Sequence, residues 1–117
     1  MNSAVIIVGH GSRSKEANDT FLSIVSKLND KNTYGAFMEF GVPSIEVVVE
    51  KLYSEGVRDF AIIPLFLYGG IHITEDIPQI IENIKKKTPD ISVKFGKPLG
   101  DDELIVQLLK KRISETV

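Results

Sequence analysis

Four short apolar runs, each followed by an amphipathic stretch, leave this chain little choice of fold. The runs cover residues 4–8, 33–40, 58–66 and 91–95, and the first is an almost unbroken series of branched aliphatic side chains. Such runs suit strands buried on both faces of a parallel sheet. After them, apolar residues recur three and four positions apart. Ala17, Phe21, Ile24, Val25 and Leu28 mark a helix over 14–31, closed by the turn-forming Asn29-Asp30-Lys31-Asn32. Ile45, Val48, Val49 and Leu52 mark a second from Pro43 or Ser44, with Gly56 placed to end it. Ile77, Ile80, Ile81 and Ile84 mark a third opening near Thr74, and Leu104, Ile105, Leu108, Leu109 and Ile113 a fourth from Asp101.

Strict alternation of strand and helix predicts one α/β domain over residues 1–117: a four-stranded parallel sheet with helices on both faces. The simplest doubly wound strand order is 2-1-3-4. Pro64 lies inside the third run and cannot donate to a central ladder, so regular pairing should stop near it. A domain of this size has an expected radius of gyration of about 13 Å.

In this topology all four strand-to-helix turns lie along one sheet edge, where open α/β sheets bind their ligands. Residues 9–13, 39–42, 68–74 and 96–100 gather there, and with them both histidines of the chain. His10 sits between Gly9 and Gly11, and His72 follows Gly69-Gly70. Neutral imidazole ligates first-row metals or accepts a proton near neutral pH. Glu39 reaches the same edge, either as a carboxylate facing solvent or as a metal contact and a partner for protonated histidine.

Gly9-His10-Gly11-Ser12-Arg13 also has the character of an anion site, with glycine-exposed amides before a helix N-terminus. Arg13 can fork onto a carboxylate or phosphate, or pair with an acid in the first helical turn. Gly69-Gly70, beside Tyr68, would let a flat ligand approach the backbone. Tyr68, Phe66 and Phe40 could stack on it or belong to the core. Glu75 and Asp76 are better placed to favour a helix N-terminus than to act in catalysis.

Composition removes several classes. A net charge of −2 argues against general nucleic-acid binding. With no cysteine, disulfides and thiolate metal sites are excluded, and metal chemistry must use imidazole and carboxylate. No run approaches the roughly 20 apolar residues of a membrane span, and the N-terminus carries no basic leader, so a cytoplasmic protein without a membrane partner is expected.

With GHGSR, FMEFGVPSI, FLYGGIHITEDIP and KPLG in this order, the chain resembles the short archaeal form of the class II sirohydrochlorin chelatases. These include the small cobaltochelatases and nickelochelatases. The resemblance implies insertion of a divalent metal, Co2+ or Ni2+, into the carboxylate-rich tetrapyrrole sirohydrochlorin, without ATP or an organic cofactor. The pathway would be cobalamin or coenzyme F430 biosynthesis. It places the catalytic groups at His10, His72 and Glu39, with the two histidines as metal contacts. Substrate contacts fall at Gly11, Ser12, Arg13, Tyr68, Gly69, Gly70 and Ile71. The DDELI after KPLG departs from the proline frequent in relatives, so that turn carries no assigned contact.

The resemblance further implies a homodimer. Elementary geometry agrees, because one small sheet edge offers a wall to a macrocycle rather than an enclosure, and a two-fold partner supplies the second wall. Two other readings of the paired histidines stay open at this level: a histidine-dependent phosphoryl-transfer enzyme and a non-catalytic metal or tetrapyrrole carrier.

Overall fold

The computed structural model describes residues 3–117, apart from the side chains of His72 and Ile73. In chain order the elements are β1 (Ser3–Gly9), α1 (Lys15–Lys27), β2 (Thr33–Phe37), α2 (Ile45–Ser54), β3 (Asp59–Pro64), a π-helical segment (His72–Asp76), α3 (Ile77–Lys87), β4 (Ser92–Phe95) and α4 (Glu103–Thr116). The strands form one parallel sheet in the order β2-β1-β3-β4, as the alternation requires. Among the described residues no helix is long and apolar enough to cross a membrane.

The aliphatic run of β1 serves two cores because successive side chains point to opposite faces. Ala4, Ile6 and Val8 join Phe60 and Ile62 of β3 beneath α2 and α3, which contribute Ile45, Val49, Ile77 and Ile81 among others. On the opposite face Phe21 and Val25 of α1 close over Phe37, with Ile7, Leu22 and Leu65 beside them. Serine and aspartate hydroxyl or carboxylate groups start three of the helices: Ser14, Ser44 and Asp102 each accept from a backbone N–H in the first turn.

Several boundaries differ from the sequence pattern for local reasons. β2 stops at Phe37 rather than residue 40, because its neighbour β1 ends at Gly9, opposite Phe37, and Phe40 takes φ 56°, which no strand accepts. α1 closes four residues early, where Asn29 takes φ 53° just past its end. Pairing between β1 and β3 runs to Val8 and Pro64 and stops there, as the proline demanded. Pro78 lies in the first turn of α3, directly after the π-helical segment.

One small latch fixes the far end of the sheet. The Tyr53 hydroxyl donates to Asp90 Oδ1 at 2.7 Å, Arg58 Nε lies 3.2 Å from Asp90 Oδ2, and the Arg58 guanidinium stacks 3.6 Å over the Tyr53 ring. The Tyr53 hydroxyl, and then Arg58, hold the Asp90 carboxyl below its usual range. A depressed folded pKa stabilises the fold above the ordinary carboxylate range, and that contribution fades as pH falls through the folded value. Asp90→Asn should therefore lower Tm by about a few degrees at neutral pH, and the gap from the parent should close on acidification in a thermal melt series.

α4 behaves unlike the other helices. None of its residues is buried, and Leu104, Leu108, Leu109 and Ile113 are all exposed. The fourth helix therefore does not cover the sheet of its own chain. The radius of gyration is 15.2 Å, above the value for a compact domain, and the molecule measures 52 × 28 × 27 Å.

Candidate active site

At the edge where β1, β2 and β3 end, two loops are pressed together. Gly11 turns the chain after His10 with φ 92°, and a Cβ placed on it would run into the backbone carbonyl of Glu39. Only glycine permits that approach. Backbone bonds from Met38 N to Gly9 O (2.8 Å) and from Glu39 N to His10 O (3.0 Å) carry the pairing of β1 and β2 past the strands themselves. Glu39 is thereby held beside His10 although β2 ends two residues before it.

Asn18, on the second turn of α1, locks the same junction. Its Nδ2 donates to Ser12 O at 2.8 Å and Phe40 O at 2.9 Å, while its Oδ1 accepts from Ser12 N at 2.9 Å. Sequence reasoning passed over Asn18, since these bonds join segments far apart in the chain and leave no local signature. They also commit the Ser12 amide to Asn18, where it positions the turn. The Ser12 hydroxyl oxygen accepts from Ser14 N at 3.0 Å and keeps its own proton to donate.

His10 stands between two acceptors. Its Nδ1 lies 3.1 Å from Gly11 O, and its Nε2 lies 3.3 Å from Glu39 Oε1. Both neighbours can only accept, so a neutral ring donates through one nitrogen and keeps a lone pair on the other, while a doubly protonated ring donates to both. A proton or a metal cation between Nε2 and the carboxylate makes that contact attractive. The imidazole is 39% exposed and the carboxylate 48%, so both can be reached from outside. Phe66 packs its ring edge-on to the imidazole, 6.3 Å between centroids at 74°.

Around this pair the edge is open and largely apolar. Phe40, Val42, Leu67, Tyr68, Ile71 and Leu99 are exposed there, Tyr68 by 77%. The Arg13 guanidinium lies 4.8 Å above the Phe40 ring, and among the described residues Arg13 forms no ion pair. A Cβ on Gly69 or Gly70 would meet only open space, so nothing in this chain's own packing calls for glycine at either position. The turn after β4 folds onto the same edge through a bond from Leu99 N to Phe66 O at 2.8 Å. Beside it, a depression of about 300 Å3 is lined by Ile62, Pro64, Thr74, Ile77, Pro78, Phe95 and Gly96.

The stretch carrying His72 reaches this edge too. Leu65 N bonds to Val8 O at 2.8 Å just past the end of β3, and the backbone then enters the π-helical segment at His72, steadied by Thr74, whose N and Oγ1 both donate to Gly70 O at 2.9 Å. The expected approach of the His72 imidazole to His10 lies outside the described residues. Among the described residues no group of three or more histidine, aspartate or glutamate side chains converges as a metal cage. His10 and Glu39 offer two donors.

A family model for CbiX matches residues 4–116. The chain belongs to the CbiX family. Among its relatives, this CbiX chain is 36% identical over 116 residues to a sirohydrochlorin cobaltochelatase of Sulfurisphaera tokodaii, covering 97% of this chain and 92% of that one. It is 36% identical over 117 residues to a sirohydrochlorin ferrochelatase of Priestia megaterium, covering 97% of this chain but only 44% of the longer relative. The sirohydrochlorin chelatase SirB from Bacillus subtilis subspecies spizizenii, solved in complex with cobalt, superposes with a TM-score of 0.91 at 31% identity. That match covers 99% of this chain and 51% of SirB. The CbiX chain thus spans about half the length of some relatives and nearly the whole of others.

Proposed function

We propose that this CbiX chain is a sirohydrochlorin chelatase that inserts a divalent metal, Co2+ or Ni2+, without ATP or an organic cofactor. The pairing of His10 Nε2 with Glu39 Oε1 at 3.3 Å on an open sheet edge carries this reading. A first-row divalent ion held by both atoms at about 2.1 Å, at a near-right angle, needs them about 3 Å apart. The spacing suits a metal that is delivered and released, since two protein donors leave its other positions for the ring nitrogens. Relatives named as cobalto- and ferrochelatases support the reaction class, while the phosphoryl-transfer and carrier readings are not favoured.

Insertion exchanges one M2+ for the two protons on the pyrrole nitrogens, so the site must accept two protons as it gives up the metal. His10 Nε2, facing Glu39 on the open edge, is assigned the first of them. His72 is assigned the second imidazole, as acceptor or metal contact. The Gly11 backbone, the Ser12 hydroxyl and Arg13 take the peripheral carboxylates. Tyr68, Gly69, Gly70 and Ile71 lie along the macrocycle face. A homodimer supplies the opposite wall, and the product serves cobalamin or coenzyme F430 assembly.

Arg13→Ala tests the anchoring role. It should weaken tetrapyrrole binding by about tenfold, the worth of one charge-assisted contact, while turnover at saturation changes little. A titration followed by absorbance that shows unchanged affinity with a lowered turnover would reject that role.

A further inference from the structure

We propose that Phe40 is a positioning residue for substrate anchoring: its ring holds the Arg13 guanidinium at the open edge, ready to grip a peripheral carboxylate of the macrocycle. The carboxylate comes from the chelatase reading, on which this role rests. Among the described residues, two other than glycine take a positive φ, Asn29 at 53° and Phe40 at 56°. Asparagine tolerates that region, whereas a bulky aromatic residue is an outlier there.

The loop is held in this shape from three directions. The Glu39 carbonyl lies against Gly11, the Phe40 carbonyl accepts from Asn18 Nδ2 at 2.9 Å, and a Cβ on Gly41 would lie 2.7 Å from the Phe37 ring. Backbone strain persists only where the surroundings over-determine it, and it gathers at functional sites. The Phe40 side chain gives the fold little in return, since it is 48% exposed and belongs to neither buried cluster. Its ring does have one defined contact: the Arg13 guanidinium carbon lies 4.8 Å from the centroid.

Both halves of this stack are tied to one carboxamide. Asn18 bonds to the N–H and the carbonyl of Ser12, the residue before Arg13, and to the carbonyl of Phe40 itself. The guanidinium and the ring beneath it are therefore placed together. An aromatic face attracts a cation without carboxylate oxygens. A guanidinium paired with an acid of its own chain would have to release it before taking one from a ligand; held on a ring, it keeps N–H donors for a bidentate grip. Fixing so long a side chain in advance also removes part of the ordering cost of binding.

Binding of metal-free sirohydrochlorin, titrated by absorbance, tests the role in a cycle of Phe40→Leu, Arg13→Ala and the double variant. Leucine keeps an apolar side chain and removes the ring. Phe40→Leu should weaken binding about two- to fivefold, the worth of an exposed cation–ring contact, whereas Phe40→Tyr should keep the parental affinity. In the Arg13→Ala background Phe40→Leu should cost nothing more. Losses that add would overturn the proposal, because the ring would then act on the macrocycle without Arg13. Phe40→Asn, which accepts the left-handed φ, should lose as much affinity as Phe40→Leu while melting within about 5 °C of the parent. A larger fall would make the ring a packing residue and overturn the proposal. Binding weakened by Arg13→Ala but untouched by Phe40→Leu would overturn the role of the ring alone, whereas a parent chain that binds no tetrapyrrole would overturn the chelatase reading with it.

Discussion

Replacing His10 with alanine is expected to slow metal insertion at least about 100-fold, the usual worth of a positioned proton acceptor. The fold should survive, with Tm changed by no more than a few degrees, because the side chain is partly exposed and its pairing with Glu39 is a surface contact. The reason lies in the two acceptors that flank the ring. Nδ1 faces the Gly11 carbonyl while Nε2 faces Glu39 on the open edge, so Nε2 is the ring atom placed to take the pyrrole proton or the metal. Glu39→Gln should produce a smaller loss in the same assay, since the imidazole remains and an amide oxygen stands where the charged metal contact was. A His10→Ala chain that turns over at the parental rate would remove His10 from the reaction.

The second large effect is expected at Gly11. Alanine there must adopt φ 92° and place its Cβ against the Glu39 carbonyl. The left-handed φ alone costs about 1–3 kcal/mol, and the overlap cannot persist without movement of the backbone. As the backbone yields, the loop from Met38 to Gly41 shifts and Glu39 leaves His10. Misplacement of about 1 Å at a reacting group costs on the order of 100-fold in rate. Gly11→Ala should therefore lose both thermal stability and activity. Gly70→Ala should keep its Tm, because a Cβ at that position meets open space. Equal melting temperatures for the two variants would contradict the close approach described at Gly11.

The sheet order, and the meeting of the strand-to-helix turns along one edge, were legible because they rest on periodicities the chain repeats. Runs such as 4–8 admit few partners besides a central parallel strand, and glycine on both sides of His10 marks a turn wherever it falls. Glu39 was placed correctly at the edge but for an incomplete reason. It was expected at the end of a strand, whereas β2 stops at Phe37 and the carboxylate is held by backbone bonds to residues 9 and 10. Such bonds depend on where a neighbouring strand ends, which no local pattern encodes. Asn18 was missed for the same reason, since its partners Ser12 and Phe40 are brought to it only by the fold. The stripe on α4 suited a fourth covering helix, whereas in the structure its Leu104, Leu108, Leu109 and Ile113 stay exposed, because a stripe shows that a helix has an apolar face and not what covers it.

Cobalt insertion into sirohydrochlorin by the purified chain, followed by absorbance beside a protein-free control, tests the central claim most directly. The expected result is a rate well above the control that saturates with tetrapyrrole and falls to the control level when His10 and His72 are both replaced by alanine. A rate no different from the control, or one left intact by the double replacement, would contradict it.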